Sequence, residues 1–258
     1  MNVGRFMSRF VTRYPGWSRL AVVVLFFALW EILARFWIDK MFLSPPSRVY
    51  GEIGKVFATK GVPEALGVTF FELGVAFAFA VMIGLALGLA IGLNSFARRS
   101  FMPIVLLLYG IPQITILPLF ILYFGIGAPS KIAFGVTHGV FPIVLTLVAG
   151  VQNLKPVLMT SARSMGASRW HILRYVLFPH MVPSLFAGMR LGMAGVLLGV
   201  LLAELYVSIS GIGHFTSMFT QAFDPTRLLG LISILAAMAI ALNEIVRRAE
   251  AHFSKWRA

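Results

Sequence analysis

The stretch Met159–Leu185, MTSARSMGASRWHILRYVLFPHMVPSL, is polar, basic and helix-prone, and it interrupts a chain that is otherwise mostly apolar. Leu154, Val157, Leu158 and Met165 share one helix face ahead of Gly166, and Trp170, Leu173 and Leu177 share one behind it, so the spacing predicts two short helices about a corner. Gly166 suits the positive φ that ends a helix, and Ser168 suits the N-cap of the next. Pro179 has no amide hydrogen and pushes Phe178 toward an extended shape, so the second helix is expected to stop there; Pro183 restarts the chain into the next apolar run. The expected product is an elbow that offers Arg163, Arg169, His171 and Arg174 to solvent.

Around this elbow the composition is that of a membrane protein. Hydrophobic residues make up 59% of the chain and charged residues 12%, against about 45–50% and about 25% in soluble domains. A net charge of +13 would suggest nucleic acid in a soluble protein. Here the basic residues gather at Arg5, Arg9, Arg13 and Arg19, at Arg98 and Arg99, at Lys155, Arg163, Arg169 and Arg174, and at Arg247, Arg248, Lys255 and Arg257. That bias toward one side of a membrane explains the charge without any nucleic-acid partner. The lack of cysteine excludes disulfides, thiolate nucleophiles and cysteine-based zinc sites, and His138, His171, His180, His214 and His252 show no metal-ligand spacing. The apolar run from Leu20 follows a basic start as a signal peptide would, but no small-residue cleavage site is evident and Glu31 and Arg35 come at once. It is read as a retained first span.

At about 20 apolar residues per crossing, six spans are expected, at 20–38, 67–93, 101–124, 131–152, 185–207 and 226–246, in a single all-α polytopic domain over 1–258 with a loop at 153–184. Six crossings put both termini on one side, and that side collects the basic clusters, so it is the cytoplasm and the elbow faces inward. Outside, Ser44-Pro45-Pro46-Ser47 is a rigid turn with Ser47 as the expected N-cap of a short interfacial helix carrying Val49, Ile53, Val56 and Phe57. In the second span Ala76, Ala80, Gly84, Gly88 and Gly92 repeat every four residues, which lets another helix approach closely; packing within the subunit is the preferred reading and a subunit–subunit seam the alternative. Pro103, Pro112 and Pro118 should kink or break the third span beside a cavity, and Phe141-Pro142 should break the fourth. Tyr109, Gln113, Tyr123 and His138 are the candidate cavity residues. Ionisable residues within spans are functional candidates by default: Glu31, Glu72, Arg190 and Glu204. Arg190 is expected to snorkel to the interface; Glu204 either holds the outer loop in place or gates a pathway.

Some chemistry is missing. There is no GxxxxGK[ST] loop for ATP, no GxSxG or HExxH motif, and no carboxylate cluster at catalytic spacing. No catalytic or metal-binding residue is proposed, and the chain is not expected to be an enzyme.

The elbow resembles the EAA loop of ABC importer permeases, the cytoplasmic coupling element that docks onto an ATPase subunit. Ala162, Gly166, Pro179 and Pro183 match its pattern, while Thr160 and Ser161 replace its leading Glu-Ala and Phe178 precedes the proline. The ordered set Ser44-Pro45-Pro46-Ser47, Ile111-Pro112, Leu117-Pro118-Leu119, Phe124-Gly125-Ile126-Gly127, Ser130-Lys131-Ile132, Phe141-Pro142-Ile143, Ala203-Glu204 and Gly211-Ile212-Gly213 is similar to the nitrate/sulfonate/taurine/bicarbonate branch. The resemblance implies a type I ABC importer permease fold in the bacterial inner membrane. It implies a second permease subunit, here a homodimer, two ABC ATPase subunits that bind ATP and Mg, and an extracytoplasmic binding protein delivering a small organic or inorganic anion. Ser161, Ala162, Arg163, Gly166, Ala167, Ser168, Arg169 and Pro179 would then couple to the ATPase, and Tyr109, Gln113, Tyr123, His138 and Glu204 would serve the pathway. The alternative is a secondary transporter or channel without ATPases, which accounts for the spans but not for the elbow.

Overall fold

The computed structural model describes residues 15–253; the basic residues Arg5, Arg9, Arg13, Lys255 and Arg257 lie outside them. All regular structure among the described residues is helical: α1 Pro15–Phe36, α2 Pro46–Phe57, α3 Val62–Leu93, α4 Ser95–Gly110, a 3₁₀ turn Gln113–Ile116, α5 Leu117–Phe124, α6 Ala128–Gln152, α7 Pro156–Ser164, α8 Arg169–His171, a π-helical turn Ile172–Leu177, α9 Phe178–Val207, α10 Ile212–Gln221 and α11 Pro225–Phe253. Five helical runs are long and apolar enough to cross a membrane: Gly16–Phe36, Val62–Leu93, Ala128–Gln152, Arg169–Tyr206 and Pro225–Phe253. The pair Ser95–Gly110 and Gln113–Phe124, bent by 84°, makes a sixth if it crosses as one. The third expected span is therefore broken where Pro112 interrupts it, as its prolines predict.

Two other prolines behave differently from expectation. α6 runs straight through Pro142. Proline leaves the carbonyl four residues back without its helical donor, and the His138 carbonyl freed in this way lies against the backbone of Gly195, where no Cβ intervenes. Pro179 likewise does not stop its helix: the π-helical turn ahead of it passes directly into α9. The wider turn, with the Phe178 amide donating to the Leu173 carbonyl five residues back, carries the helix up to the proline without a break.

The described chain forms two compact units. One contains α1, α2 and residues 218–234. In it Trp30 donates to the Ser44 carbonyl (3.2 Å), and the buried hydroxyls of Ser44 and Thr226 meet at 2.6 Å. Ser47 does not cap α2, which starts one residue earlier with Pro45 in the cap position. Its amide (3.0 Å) and hydroxyl (2.7 Å) instead donate to the Glu31 carboxylate, which also receives Arg35 Nε at 2.5 Å.

The other unit, residues 61–217 and 235–253, is built on α3, α6 and α9. Small residues set its geometry. On α3, a Cβ at Gly84 would overlap Ile143, one at Gly88 would overlap Leu147, and one at Gly92 would press on Val151. Both helices advance four residues per contact, so α3 and α6 are parallel. On the other flank of α6, Gly188 faces Thr146 and Ile143, Gly192 faces Ile143 and Gly139, and Gly199 faces Gly135 and His138, so α9 runs antiparallel. Leu73, Ala76, Ala80, Ile143, Val144, Val196 and Val200 fill the seam. The four-residue repeat of the second span thus packs within the subunit, as expected.

Candidate functional site

Three places in the larger unit carry chemistry. The first is the elbow. α7 starts with Pro156 at its first position and ends in a paired cap: Gly166 N–H donates to the Arg163 carbonyl (2.9 Å) and Ala167 N–H to the Ala162 carbonyl (3.0 Å). This double bond pattern needs a left-handed residue at the corner, and Gly166 sits at φ +75°. Ser168, extended at φ −64° and ψ 163°, then caps α8, its Oγ accepting from the His171 amide (3.3 Å) and meeting His171 Nδ1 at 2.6 Å. The corner and cap are those expected from sequence. Leu177 and Ile172 anchor the second arm in the core, while Val157, Met165 and Trp170 are exposed at 62%, 86% and 62%. Arg163, Arg169 and Arg174 are exposed on the same element. Large apolar side chains interleaved with arginines and left uncovered form a surface suited to a protein partner. Thr160, at the position where the EAA pattern has Glu, turns its hydroxyl back to the Pro156 carbonyl (3.2 Å) and offers no charge.

The second place is a cleft of about 410 Å³ on the flank of α6 and α9, lined by Tyr109, Gln113, His138, Thr146, Leu191 and Leu198 among others. The break in the third span puts Gln113 there: α4 ends at Gly110, and the 3₁₀ turn swings Gln113 to where Thr137 Oγ1 donates weakly to its Oε1 (3.4 Å). His138 Nδ1 lies 3.0 Å from the Phe134 carbonyl. A carbonyl can only accept, so Nδ1 carries the hydrogen and Nε2 is left for another partner. Of the five candidate pathway residues, the structure brings together Tyr109, Gln113 and His138. Tyr123, 78% exposed, and Glu204, fully buried, lie outside this cleft.

The third place is a buried polar knot at the end of the bundle away from the elbow. Glu204, at the end of α9, accepts from the Gly213 amide (2.8 Å) through Oε2 and from the Thr69 hydroxyl (2.7 Å) through Oε1. Thr69 Oγ1 in turn accepts from the Ile212 amide (2.9 Å). Two amides at the start of α10 are thereby satisfied by α3 and α9. A Cβ at Gly211 would overlap the Glu204 carboxylate, and one at Gly213 would stand 2.5 Å from Glu204 Cβ. The glycines in Gly211-Ile212-Gly213 therefore let the loop close on Glu204. Lys131 Nζ, at the start of α6, faces Glu72 Oε1 at 2.5 Å and reaches Ser210 O (3.3 Å) and Oγ (3.2 Å). Lys131 was not among the expected ionisable residues. The clue was two acids in long apolar spans, which require a nearby cation. Arg190, expected to snorkel, forms an ion pair with Glu250.

A bundle of apolar helices with a broken span, a side cleft and a polar elbow projecting from one end defines a membrane transport subunit. The chain belongs to the family of binding-protein-dependent transport system inner membrane components, whose profile matches residues 80–257. Its relatives include the taurine transport system permease protein TauC of Escherichia coli strain K12, 28% identical over 97% of this chain and 91% of that one. An aliphatic sulfonates transport permease protein, SsuC of Bacillus subtilis strain 168, is 24% identical over 94% and 88% of the two chains. The nitrate import permease protein NrtB of Synechocystis is 27% identical over 73% and 72%. Among solved structures, the MetNI methionine ABC transporter in an inward-facing conformation shares the fold, with a TM-score of 0.68 and 18% identity over 76% of this chain and 98% of that one. The chain is thus a membrane component of a binding-protein-dependent transport system, all-helical in the regular structure of its described residues and similar to permease proteins named for taurine, sulfonate and nitrate transport.

Proposed function

We propose that the chain is one half of the membrane channel of an ATP-driven importer for a small organic or inorganic anion. ATP and Mg are bound by two ATPase subunits, and the anion is delivered by an extracytoplasmic binding protein. The elbow carries this reading: Met165 and Trp170 stand uncovered beside Arg163 and Arg169 on a doubly capped, stiff corner. Ser161, Ala162, Arg163, Gly166, Ala167, Ser168, Arg169 and Pro179 shape or contact the coupling surface. The elbow and both termini face the cytoplasm of a bacterial cell, in keeping with the basic clusters. Two copies of the chain face each other across the cleft, with Tyr109, Gln113 and the free Nε2 of His138 along the pathway. The choice of anion follows the names of the relatives, which cover taurine, sulfonates and nitrate.

The test is reconstitution in lipid vesicles with the cognate ATPase and binding protein, followed by uptake of taurine, an alkanesulfonate and nitrate. ATP-dependent accumulation of one of them is expected, together with cross-linking of Arg163→Cys to the ATPase subunit. Uptake by the permease alone along an ion gradient would favour the secondary-transporter alternative and overturn the proposal.

A further inference from the structure

The polar knot has an unbalanced charge inventory. Glu72 and Glu204 supply two carboxyl groups and Lys131 a single ammonium, and these side chains are 1%, 0% and 3% exposed. No other acid is buried among the described residues. The hydrogen-bonding partners of these three groups are otherwise neutral: Thr69 from α3, Ser210 from the loop after α9, and the backbone amide of Gly213, with the Ile212 amide bound to Thr69. His214 on α10 places its Nδ1 3.1 Å from the Ser208 carbonyl. Two full negative charges against one positive charge would leave a buried net charge in an apolar environment, where isolated ions are very costly.

The hydrogen bonding says where the imbalance is resolved. Each oxygen of Glu204 accepts from a donor, the arrangement of an ionised carboxylate. Glu72 differs: Oε1 faces the Lys131 ammonium, while Oε2 is buried and meets no donor. Buried polar atoms in native proteins are rarely left so. Both carboxyl groups belong to one buried cluster, Glu72 held at Lys131 and Glu204 at Thr69 and Gly213, with Lys131 also reaching Ser210 two residues before Ile212. A hydrogen on Glu72 would turn its orphaned oxygen into a donor toward Glu204 and make the knot electrically neutral in the same step.

We propose that the Glu72–Glu204 pair is a proton-binding site: Glu72 is a neutral carboxylic acid in the folded protein and donates a hydrogen bond to the Glu204 carboxylate. The proton is what allows two acids and one lysine to clamp the start of α10 to α3, α6 and α9 without a net charge. This assignment is independent of the transported anion and of the ATPase partner.

The test uses the full chain purified in detergent at neutral pH. Infrared spectroscopy of the wild type is expected to show the C=O stretch of one protonated carboxyl group. That band is expected to vanish in Glu72→Gln, which leaves Glu204 and Lys131 as a balanced pair, and also in Glu204→Gln, which lets Glu72 ionise against Lys131. The variants part in stability. Glu72→Gln mimics the protonated acid, accepting from Lys131 and donating to Glu204, and is expected to melt within a few degrees of wild type. Glu204→Gln must accept from both Thr69 and Gly213 with a single oxygen, and Lys131→Met strands a charge; each is expected to lose roughly 10 °C. Absence of the band in the wild type, or its survival in Glu72→Gln, would overturn the proposal, as would a Glu72→Gln that melts as low as Lys131→Met. Should a variant fail to fold, the wild-type spectrum decides alone.

Discussion

Gly139 has no room for a methyl group. A Cβ there would stand 2.5 Å from Val196 Cγ2, 2.9 Å from Ala80 Cβ and 3.1 Å from the Gly192 carbonyl, so α3 and α9 close on it from two sides. Gly139→Ala is expected to destabilise the purified protein by about 1–3 kcal/mol through overpacking. Gly67→Ala, where nothing lies within 4 Å, should be neutral or stabilising by up to about 1 kcal/mol. Thermal unfolding in detergent measures both, and equal effects would contradict the packing described. At this scale the sequence is uneven to read. The spacing of Ala76, Ala80, Gly84, Gly88 and Gly92 announces a close approach, because a face without side chains has few other uses in an apolar helix. Lys131 is hidden because its partner Glu72 is 59 residues away and the residue itself sits beside a turn, where a lysine ordinarily reaches water. Ser47 is a good cap by residue type, yet Glu31 offers its amide and hydroxyl a charged acceptor, which outcompetes a neutral cap.

The elbow is an element whose shape rests on one backbone angle. Gly166 lies at φ +75° with open space where a side chain would go, so a substitution there meets backbone strain and no clash. Gly166→Val is expected to strain the corner by about 1–2 kcal/mol, whereas asparagine tolerates the left-handed region. In the assembled importer Gly166→Val should insert normally but lose substrate-stimulated ATPase activity, and Gly166→Asn should retain most of it. Normal stimulation in the valine variant would show that the corner does not matter for coupling. The corner and the Ser168 cap are legible in sequence because both are local, set by three or four consecutive residues. The π-helical turn ahead of Pro179 is not. It depends on Ile172 and Leu177 being held in the core, a tertiary condition with no local spacing signal, so proline's usual rule as a helix stop misleads.

For the whole molecule, the proposed pairing of two copies across the cleft beside α6 and α9 can be tested directly. Leu191 and Leu198 line it and are 56% and 54% exposed. The chain contains no cysteine, so single-cysteine variants report without background. Leu191→Cys or Leu198→Cys is expected to give an oxidant-dependent covalent homodimer in membranes, while Met82→Cys, exposed on α3, should not. A disulfide to a different subunit, or none from either cleft position, would sink the homodimeric arrangement. The order of the apolar helices is visible from the run of apolar residues along the sequence, but the cleft is not, since it requires the 84° bend that places the 3₁₀ turn against α6.

The three-helix seam has a mechanical consequence. α3 meets α6 at positions four residues apart, and α9 meets it by similar steps in the opposite direction. With about 1.5 Å of rise per residue, the teeth of this seam are spaced by roughly 6 Å. A slip of one or two ångströms would drive a side chain into bare backbone, so the seam resists sliding of the three helices past one another, as the teeth of a rack resist the sliding of its mate.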